Sequence, residues 1–368
     1  MIPVCEPLIT AREIELVNSC LQTGWISSSG KYLDAFEQGW SDYCGMPFGV
    51  AVSNGSVALD LAVALLDMAP GDEVIMPTFT IISPALSVVR AGGVPVLVDS
   101  DSRTWQMDVS QIEEKITERT KAILVVHIYG HPADMDPVLD IAHRHNLIVI
   151  EDAAEVHGAE YKGRKCGGIG DISTFSFYAN KLITTGEGGM VLVRSFEMAE
   201  RARSLRNLCF QKKQRFIHED LGYNLRLTNL QAAMGVGQLE RIDQIIECKR
   251  TIAGRYNELL SDLVEVALPV ECPWALNVYW VYGIVLNVNC GMTAAQFEDR
   301  LRERGIETRP FFLGMHEQPV FKRMGLFRGE CYPVAESLAR QGLYIPTGLT
   351  ITDKQIVEVA SVVRECLK

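Results

Sequence analysis

The sequence predicts an α/β protein with a large, mainly parallel sheet covered by helices, and a smaller C-terminal α/β domain. Between residues 48 and 193, short apolar runs alternate with segments of helical periodicity. The apolar runs are continuous rather than alternating, which is typical of strands buried on both faces by flanking helices. A length of 368 residues also exceeds one ordinary core, so we expect a second domain.

The predicted elements follow one another in a regular order. Five apolar runs are interpreted as strands that end in polar or turn residues: FGVAV, DEVIMP, VPVLVD, KAILVV and NLIVIED. Helix-like segments follow or separate them: SVALDLAVALLDM, IISPALSVVRAG, DVSQIEEKI and DMDPVLDIAHRH. DISTFSF and GGMVLV are predicted as two further strands, and Lys181 lies between them.

A long helical region over residues 229–260 is expected to lead out of the first domain near residue 245. We therefore predict a large domain over residues 1–245, with the segment 1–30 near the active site, and a small domain over residues 246–368. The small domain contains the strand-like VYWVYGIVLNV and the helix-like TAAQFEDRLRERG and DKQIVEVASVVREC.

Composition excludes several functional classes. The formal charge is −11 and no basic run is present, which argues against a general binder of nucleic acids or anionic membranes. The N-terminus lacks the pattern of a signal peptide, and no apolar run is long enough to span a bilayer. The ten cysteines are scattered without metal-ligand spacing, so we expect no metal site and interpret them as reduced thiols of a cytoplasmic protein.

Polar residues collect where the predicted strands end. They are Ser53 to Ser56, Asp99, His127, Asp152 and Glu155. Ligands of open α/β sheets bind outside the carboxyl ends of the strands, so this convergence predicts a cofactor site.

The stretch SNGSVAL contains Gly55 and Ser56 at the expected start of a helix. Free N–H groups, the helix dipole and a hydroxyl make such a turn suited to a phosphate, although an ordinary helix cap has the same pattern. It matches neither a dinucleotide-binding fingerprint nor a P-loop. An NAD-dependent enzyme and a P-loop NTPase are therefore disfavoured.

Asp152 and Lys181 are the other candidates for chemistry. Each has an ordinary alternative, an ion pair or helix cap for the aspartate and a solvated charge for the lysine. The ordered combination of phosphate turn, strand-end carboxylate and lysine meets the needs of pyridoxal phosphate (PLP). Its phosphate requires donors, its ring nitrogen a carboxylate, and its aldehyde an amine.

Nine motifs together resemble the sugar aminotransferases of the DegT/DnrJ/EryC1/StrS family, which are fold-type-I PLP enzymes. In chain order they are GWISSSGKYLDAFE, SNGSVALDLA, PGDEVIMPTFT, GGVPVLVDSD, HIYGHPADMDP, IEDAAEVHGAEYKG, GDISTFSFYANKLITTGEGGM, LGYNLRLTNLQAA and GIETRPFF. The resemblance covers nearly the whole chain. It implies that Lys181 forms a Schiff base with PLP and then moves a proton between cofactor and substrate. Asp152 would pair with the ring nitrogen, and Glu155 would lie near the ring hydroxyl.

The resemblance also implies the remaining cofactor contacts. Gly55, Ser56 and Ser176 would hold the phosphate, and Asn224 would reach the phosphate of the neighbouring subunit in a homodimer whose sites are shared. Most relatives have an aromatic residue over the ring where this chain has Ile81. Either Ile81 covers the ring or Phe79 serves instead.

Dehydratases of the family carry histidine in place of the lysine, so amino transfer is the predicted reaction. The motifs are most similar to members that move an amino group from L-glutamate to C4 of GDP-4-keto-6-deoxymannose, for O-antigen or another surface glycan. A dTDP- or UDP-linked keto sugar, aminated at C3 or C4, is the alternative. A regulator that kept the fold and lost turnover is disfavoured because both Lys181 and Asp152 are present.

Arg309 is a candidate for a carboxylate or diphosphate contact, since a guanidinium binds both groups in a bidentate manner. Four further residues are candidates for the nucleotide-sugar pocket, each with a structural role that is at least as plausible: Trp25, Ser27, Ser28 and His316. His127 and His157 are interpreted as structural.

Overall fold

The computed structural model describes residues 1–211 and 213–368. Its α-helices are α1 (Ala11–Thr23), α2 (Lys31–Cys44), α3 (Gly55–Ala64), α4 (Ser83–Arg90), α5 (Met135–His145), α6 (Phe196–Arg206), α7 (Asn229–Leu239), α8 (Ile242–Leu260), α9 (Ala294–Glu303), α10 (Pro319–Arg323), α11 (Pro333–Gln341) and α12 (Asp353–Cys366).

The strands are β1 (Phe48–Val52), β2 (Glu73–Pro77), β3 (Val94–Val98), β4 (Thr120–Val126), β5 (Ile148–Asp152), β6 (Glu160–Tyr161), β7 (Arg164–Lys165), β8 (Ile172–Ser176), β9 (Gly189–Val193), β10 (Val266–Ala267), β11 (Ala275–Leu276), β12 (Tyr282–Leu286), β13 (Arg309–Pro310) and β14 (Gly342–Ile345).

The large sheet has the strand order β1-β9-β8-β5-β4-β2-β3. Strands β8, β5, β4, β2 and β3 pair in parallel, whereas β9 runs antiparallel to both β1 and β8. All residues of β2, β8 and β9 are buried, as continuous apolar runs require. The predicted mainly parallel α/β fold is confirmed, and its parallel strands end at one edge of the sheet.

Local signals explain how the chain turns from the first strand into the site. Asn54 caps α3, since its side chain accepts a hydrogen bond of 3.0 Å from the Val57 N–H. Short polar side chains at this position satisfy helix-terminal donors and fix where the helix begins. The helix therefore starts at Gly55, three residues after the end of β1 at Val52.

Two helix predictions need correction. DVSQIEEKI forms two short 3₁₀ turns, Val109–Gln111 and Glu113–Lys115, instead of an α-helix. The Asp108 side chain accepts from the Ser110 N–H, and such local bonds compete with a regular helix.

The predicted helical region 229–260 is broken between α7 and α8. At the break Arg241 leaves the helical conformation, and its Nε lies 2.9 Å from the buried carboxylate of Glu13 in α1.

The second sheet has the order β10-β12-β14-β13 and shares a core with α8, α9 and α12. Residues near the start of the chain join it. The Ile2 N–H donates to the Gly305 carbonyl at 2.7 Å, and the Thr347 N–H donates to the Val4 carbonyl at 2.9 Å. The proposed boundary at residue 245 lies within α8 and stays a prediction.

In the part of the chain that is described, no helix combines the length and apolar character needed to cross a bilayer. All ten cysteines are free thiols.

Candidate active site

Lys181 lies in the loop between β8 and β9, at the carboxyl edge of the large sheet. Its backbone N–H donates to the Tyr178 carbonyl at 2.9 Å, which fixes the turn that carries the side chain. The side chain is 11% exposed, and Nζ lies 3.7 Å from Oε1 of Glu155. The lysine is therefore a buried amine that faces a carboxylate.

A tryptophan that the sequence did not single out covers this amine. Nζ of Lys181 lies 3.6 Å from the centroid of the Trp280 ring. The indole Nε1–H donates to the carbonyl of Asn180 at 2.7 Å. In the sequence Trp280 belongs to the apolar run VYWVYGIVL, which predicts a strand and gives no sign of a contact with Lys181.

Asp152 and Glu155 stand at the end of β5, beside the strand that leads to the lysine. Both are buried. Oδ1 of Asp152 accepts from the Ala154 N–H at 3.1 Å, and Oε2 of Glu155 accepts from the Tyr129 N–H at 2.8 Å. The pocket thus brings two carboxylates to one amine.

Burial dominates the electrostatics of this group, because it disfavours every charged form. Burial raises the pKa of Asp152. The hydrogen bond from the Ala154 N–H and then the positive charge of Lys181 partly offset this rise. Burial also raises the pKa of Glu155 to about 7, against the opposing charge of Lys181. The same burial lowers the pKa of Lys181, with Glu155 and then Asp152 acting in the opposite direction.

The N-terminus of α3 approaches the end of β8 closely. A Cβ on Gly55 would lie 2.6 Å from the Cβ of Ser176, so glycine is required at this position. The first N–H groups of a helix have no partner within it, which leaves those at Gly55 and Ser56 able to bind a ligand. The Ser56 hydroxyl lies 2.8 Å from that of Ser83.

This donor set fits pyridoxal phosphate. N–H and hydroxyl donors at Gly55, Ser56 and Ser176 suit the phosphate. Asp152 and Lys181 are a carboxylate and an amine of the kinds that the ring nitrogen and the aldehyde need, and β5 and β8, which lead to them, are neighbouring strands.

The two candidates for covering the ring differ in exposure. Ile81 precedes α4 and is 46% exposed. Phe79 is fully buried against the rings of Tyr129, Phe311 and Phe312. Of the two, Ile81 is the side chain open to a ligand.

The segment that contains Asn224 lies beside the phosphate turn, and Trp25 lies in the loop after α1. Asn224 is exposed, and the next residue, Leu225, accepts from the Ser53 N–H at 2.9 Å through its carbonyl. Trp25 is 58% exposed. Asn229 holds the loop after α1, donating from its side chain to the Trp25 carbonyl at 2.7 Å and from its backbone to the Ser27 carbonyl at 2.6 Å.

Ser28 follows in this loop and is half-buried. It lines a cavity together with four arginines of α6 and the chain after it: Arg203, Arg206, Arg215 and Arg226.

Arg309 and His316 are held by local and long-range contacts. Arg309 is exposed and forms an ion pair of 2.5 Å with Glu307. His316 is buried, with Nδ1 2.8 Å from the hydroxyl of Thr78 and Nε2 3.2 Å from Glu336. These contacts of His316 join the end of β2 to α11.

Other polar groups at the strand ends stabilise the fold. His127 accepts from the Ala133 N–H at Nδ1, so its Nε2–H donates to the buried carboxylate of Glu151 at 3.1 Å. His157 donates from Nε2 to the Ser176 carbonyl at 2.8 Å, and burial lowers its pKa to about 3. Asp99 accepts from the first N–H groups of α11.

Comparison with known proteins gives full-length matches. Residues 7–364 match the model of the DegT/DnrJ/EryC1/StrS aminotransferase family. GDP-perosamine synthase of Caulobacter vibrioides (strain ATCC 19089 / CIP 103742 / CB 15) is 41% identical over 100% of this chain and 98% of the relative. GDP-perosamine synthase of Escherichia coli O157:H7 is 40% identical over 99% and 98%.

Solved structures share the fold. DesV of S. venezuelae superposes with a TM-score of 0.90 at 35% identity, over 97% of this chain and 95% of DesV. The aminotransferase TlmJ of Streptoalloteichus hindustanus superposes with a TM-score of 0.93 at 28% identity, over 100% and 99%.

Proposed function

The chain belongs to the DegT/DnrJ/EryC1/StrS aminotransferase family, and from this premise we propose that it makes GDP-perosamine from GDP-4-keto-6-deoxymannose and L-glutamate. It is a PLP-dependent sugar aminotransferase. The choice of a GDP sugar is supported by one observation, full-length similarity to three GDP-perosamine synthases at 37–41% identity. The amino group would enter at C4, in place of the keto oxygen.

PLP supplies an aldehyde that condenses with amines and a ring that withdraws electrons from the bond being broken. Lys181 would hold it covalently, and Asp152 would pair with its ring nitrogen. Glu155 would lie near the ring hydroxyl. Gly55, Ser56 and Ser176 would bind its phosphate, since these are the donors around the start of α3. Ile81 would cover the ring.

The chain's own acid and base is Lys181 in this proposal. Its lowered pKa increases the fraction of neutral amine, which can take the proton from Cα of glutamate. The same Nζ would deliver a proton to C4 of the sugar in the second half of the reaction. A positioned acid–base group contributes about 10²–10⁴-fold to the rate. Glu155, 3.7 Å away, can share this proton because its own pKa is about 7.

We propose that Arg309 contacts either a carboxylate of glutamate or the diphosphate of the sugar nucleotide, because a guanidinium binds each of these groups in a bidentate manner. Trp25, Ser27 and Ser28 lie in the loop after α1, where Trp25 and Ser27 are exposed and Ser28 lines a cavity with four arginines, which supports a place in the nucleotide pocket. For His316 the observed contacts with Thr78 and Glu336 favour a positioning role, since they join the end of β2 to α11.

A homodimer with shared sites is part of the proposal. Asn224 is exposed, and large apolar side chains near it in sequence are exposed as well: Phe216, Ile217, Leu221 and Tyr223. Such an apolar patch is typical of an interaction surface. A second copy of the chain would cover it and bring Asn224 to the neighbour's phosphate. We place the reaction in the cytoplasm, in synthesis of an O-antigen or another surface glycan.

The test uses purified protein with PLP and glutamate. It is offered GDP-4-keto-6-deoxymannose and, separately, dTDP- and UDP-linked 4-keto-6-deoxyglucose, and the products are identified by mass. We expect an amino sugar from the GDP substrate alone. Amination of a dTDP or UDP sugar in its place would overturn the GDP assignment and leave the cofactor chemistry standing.

A further inference from the structure

The indole of Trp280 contacts the lysine loop at two separate points. Its Nε1–H donates to the carbonyl of Asn180, the residue before Lys181, at 2.7 Å. Its ring faces the side-chain amine, with Nζ 3.6 Å from the ring centroid. One side chain therefore holds both the backbone before the lysine and the reactive atom at its tip.

Trp280 is itself held by a tight loop. The Val278 N–H donates to the Gly130 carbonyl at 3.0 Å. Gly130 has φ +108°, and a Cβ there would lie 2.6 Å from the backbone N of Trp280. The neighbouring Tyr129 N–H binds Glu155 at 2.8 Å. The turn at Tyr129 and Gly130 therefore fixes both groups that lie next to the lysine amine. These are the indole ring of Trp280 and the carboxylate of Glu155.

The ring has an electrostatic effect as well as a steric one. A cation within about 6 Å of an indole face is attracted by the ring quadrupole, and the attraction grows when water is excluded. Trp280 is buried, and the side chain of Lys181 is only 11% exposed. The charged groups that face Nζ are Asp152 and Glu155, while the neighbouring His157 is neutral in the fold. The ring therefore orients the amine and favours its protonated form together with these carboxylates.

We propose that Trp280 is a positioning residue that holds the Lys181 amine in the place where PLP attaches, through its hydrogen bond to Asn180 and its ring contact with Nζ. This inference rests on the proposed attachment of PLP to Lys181. A lysine side chain has four rotatable bonds and can adopt many conformations. When contacts hold its amine in one position, the amine is already placed to attack the aldehyde of PLP. Trp280 therefore sets the rate at which the cofactor-free enzyme captures PLP.

The experiment compares wild type with Trp280→Phe and Trp280→Leu. The phenylalanine keeps an aromatic face and loses the N–H donor, whereas leucine loses both. Trp274→Leu is the matched control, since Trp274 lies six residues earlier and packs on Tyr161 and His131. Circular dichroism spectra establish that each variant is folded.

Two quantities are measured on the cofactor-free proteins. Acetylation of Lys181 by acetic anhydride is followed against pH by mass spectrometry, which gives the apparent pKa of the amine. PLP capture is followed by stopped-flow absorbance, and borohydride reduction with peptide mapping identifies the lysine to which the cofactor is bound.

We expect Trp280→Leu to lower the apparent pKa of Lys181 by about one unit. Each capture rate is divided by the fraction of neutral amine that the acetylation profile gives, and we expect this corrected rate to fall about tenfold in Trp280→Leu because the amine is no longer held in place. Trp280→Phe should keep at least half of the pKa effect, because its ring still faces the amine, and should capture PLP more slowly than wild type. The Trp274→Leu variant should match wild type.

The proposal is overturned if Trp280→Leu matches wild type in both measurements, if Trp280→Phe shifts the pKa as far as Trp280→Leu, or if Trp274→Leu changes as much as Trp280→Leu. If peptide mapping finds PLP on another lysine of the wild type, the proposed function fails. The acetylation profiles, which need no cofactor, still decide whether Trp280 governs the Lys181 amine.

Discussion

The amine of Lys181 and the carboxylate of Glu155 lie 3.7 Å apart in a part of the molecule that solvent barely reaches. Burial raises the pKa of the acid and lowers the pKa of the amine, so the two values move towards each other. Moving a proton between them therefore costs less free energy than it would between the same two groups in water. This relationship makes the pair sensitive to pH near neutrality and leads to the first prediction.

Replacing Glu155 with Gln should change how the stability of the cofactor-free protein depends on pH. The folded pKa of Glu155 is raised from 4.5 to about 7, so the folded state binds more protons in this window and wild type loses stability as pH rises through it. Glu155→Gln should lack that loss, which is on the order of 2–3 kcal/mol for a shift of this size. Urea unfolding near pH 4.5 and near pH 7 measures this loss of stability. If the free energy of unfolding changed equally between these two pH values in both proteins, Glu155 would not titrate between them.

Lys181→Ala should remove the visible absorbance of covalently attached PLP and lower transamination by at least about 10²–10⁴-fold, since both the attachment point and the acid–base group are lost. Lys249→Met is the control. Lys249 is a buried lysine that lines one cavity together with Lys181. Its amine donates to the Thr347 carbonyl. It should keep both attachment and turnover. Full activity in Lys181→Ala would refute the assignment of this lysine.

Asp152→Asn should leave the fold intact and lower kcat by about 10²-fold or more, because a neutral amide cannot hold the ring nitrogen protonated as a carboxylate does. The side chains have the same shape, so melting temperature should change little. Steady-state kinetics with glutamate and the sugar nucleotide measure the effect. A rate near that of wild type would mean that another group holds this proton.

Gly55→Ala should weaken PLP binding and cost about 1–3 kcal/mol of folding free energy, since the new Cβ would lie 2.6 Å from that of Ser176. Gly254→Ala is the control. Gly254 lies within α8 and an added Cβ meets nothing within 4 Å. Alanine there should be neutral or stabilise the protein by up to about 1 kcal/mol. Fluorescence titration with PLP and chemical unfolding test both variants. Equal behaviour of the two would contradict the close approach.

Mixing Lys181→Ala chains with Asn224→Ala chains should restore activity if Asn224 completes the neighbour's site. Random pairing yields half mixed dimers, each with one intact site, so about a quarter of wild-type activity is expected. Each variant mixed with itself is the control. Absence of any recovery, after exchange of subunits has been confirmed with labelled chains, would rule out the contact across the interface.

Local patterns predicted most of the large sheet, because its strands are buried on both faces and their apolar runs are unbroken. Tertiary contacts decided the differences. Arg241 interrupts the helical region because a carboxylate 228 residues away binds it. Trp280 lies 100 residues from the carbonyl that it binds, so only the fold reveals its place over Lys181. The partners of His316, at Thr78 and Glu336, are equally invisible in the sequence.

The contacts of Val4 also bear on the order in which the protein can be completed during translation. Its N–H binds Glu307, 303 residues later in the chain, and its carbonyl accepts from Thr347. The neighbouring Cys5 and Leu8 line the cavity behind Lys181. A segment that leaves the ribosome early therefore waits, without its final partners, until the strands of the second sheet have been synthesised. The side of the Lys181 cavity that Cys5 and Leu8 line can therefore form only when almost the whole chain has been synthesised.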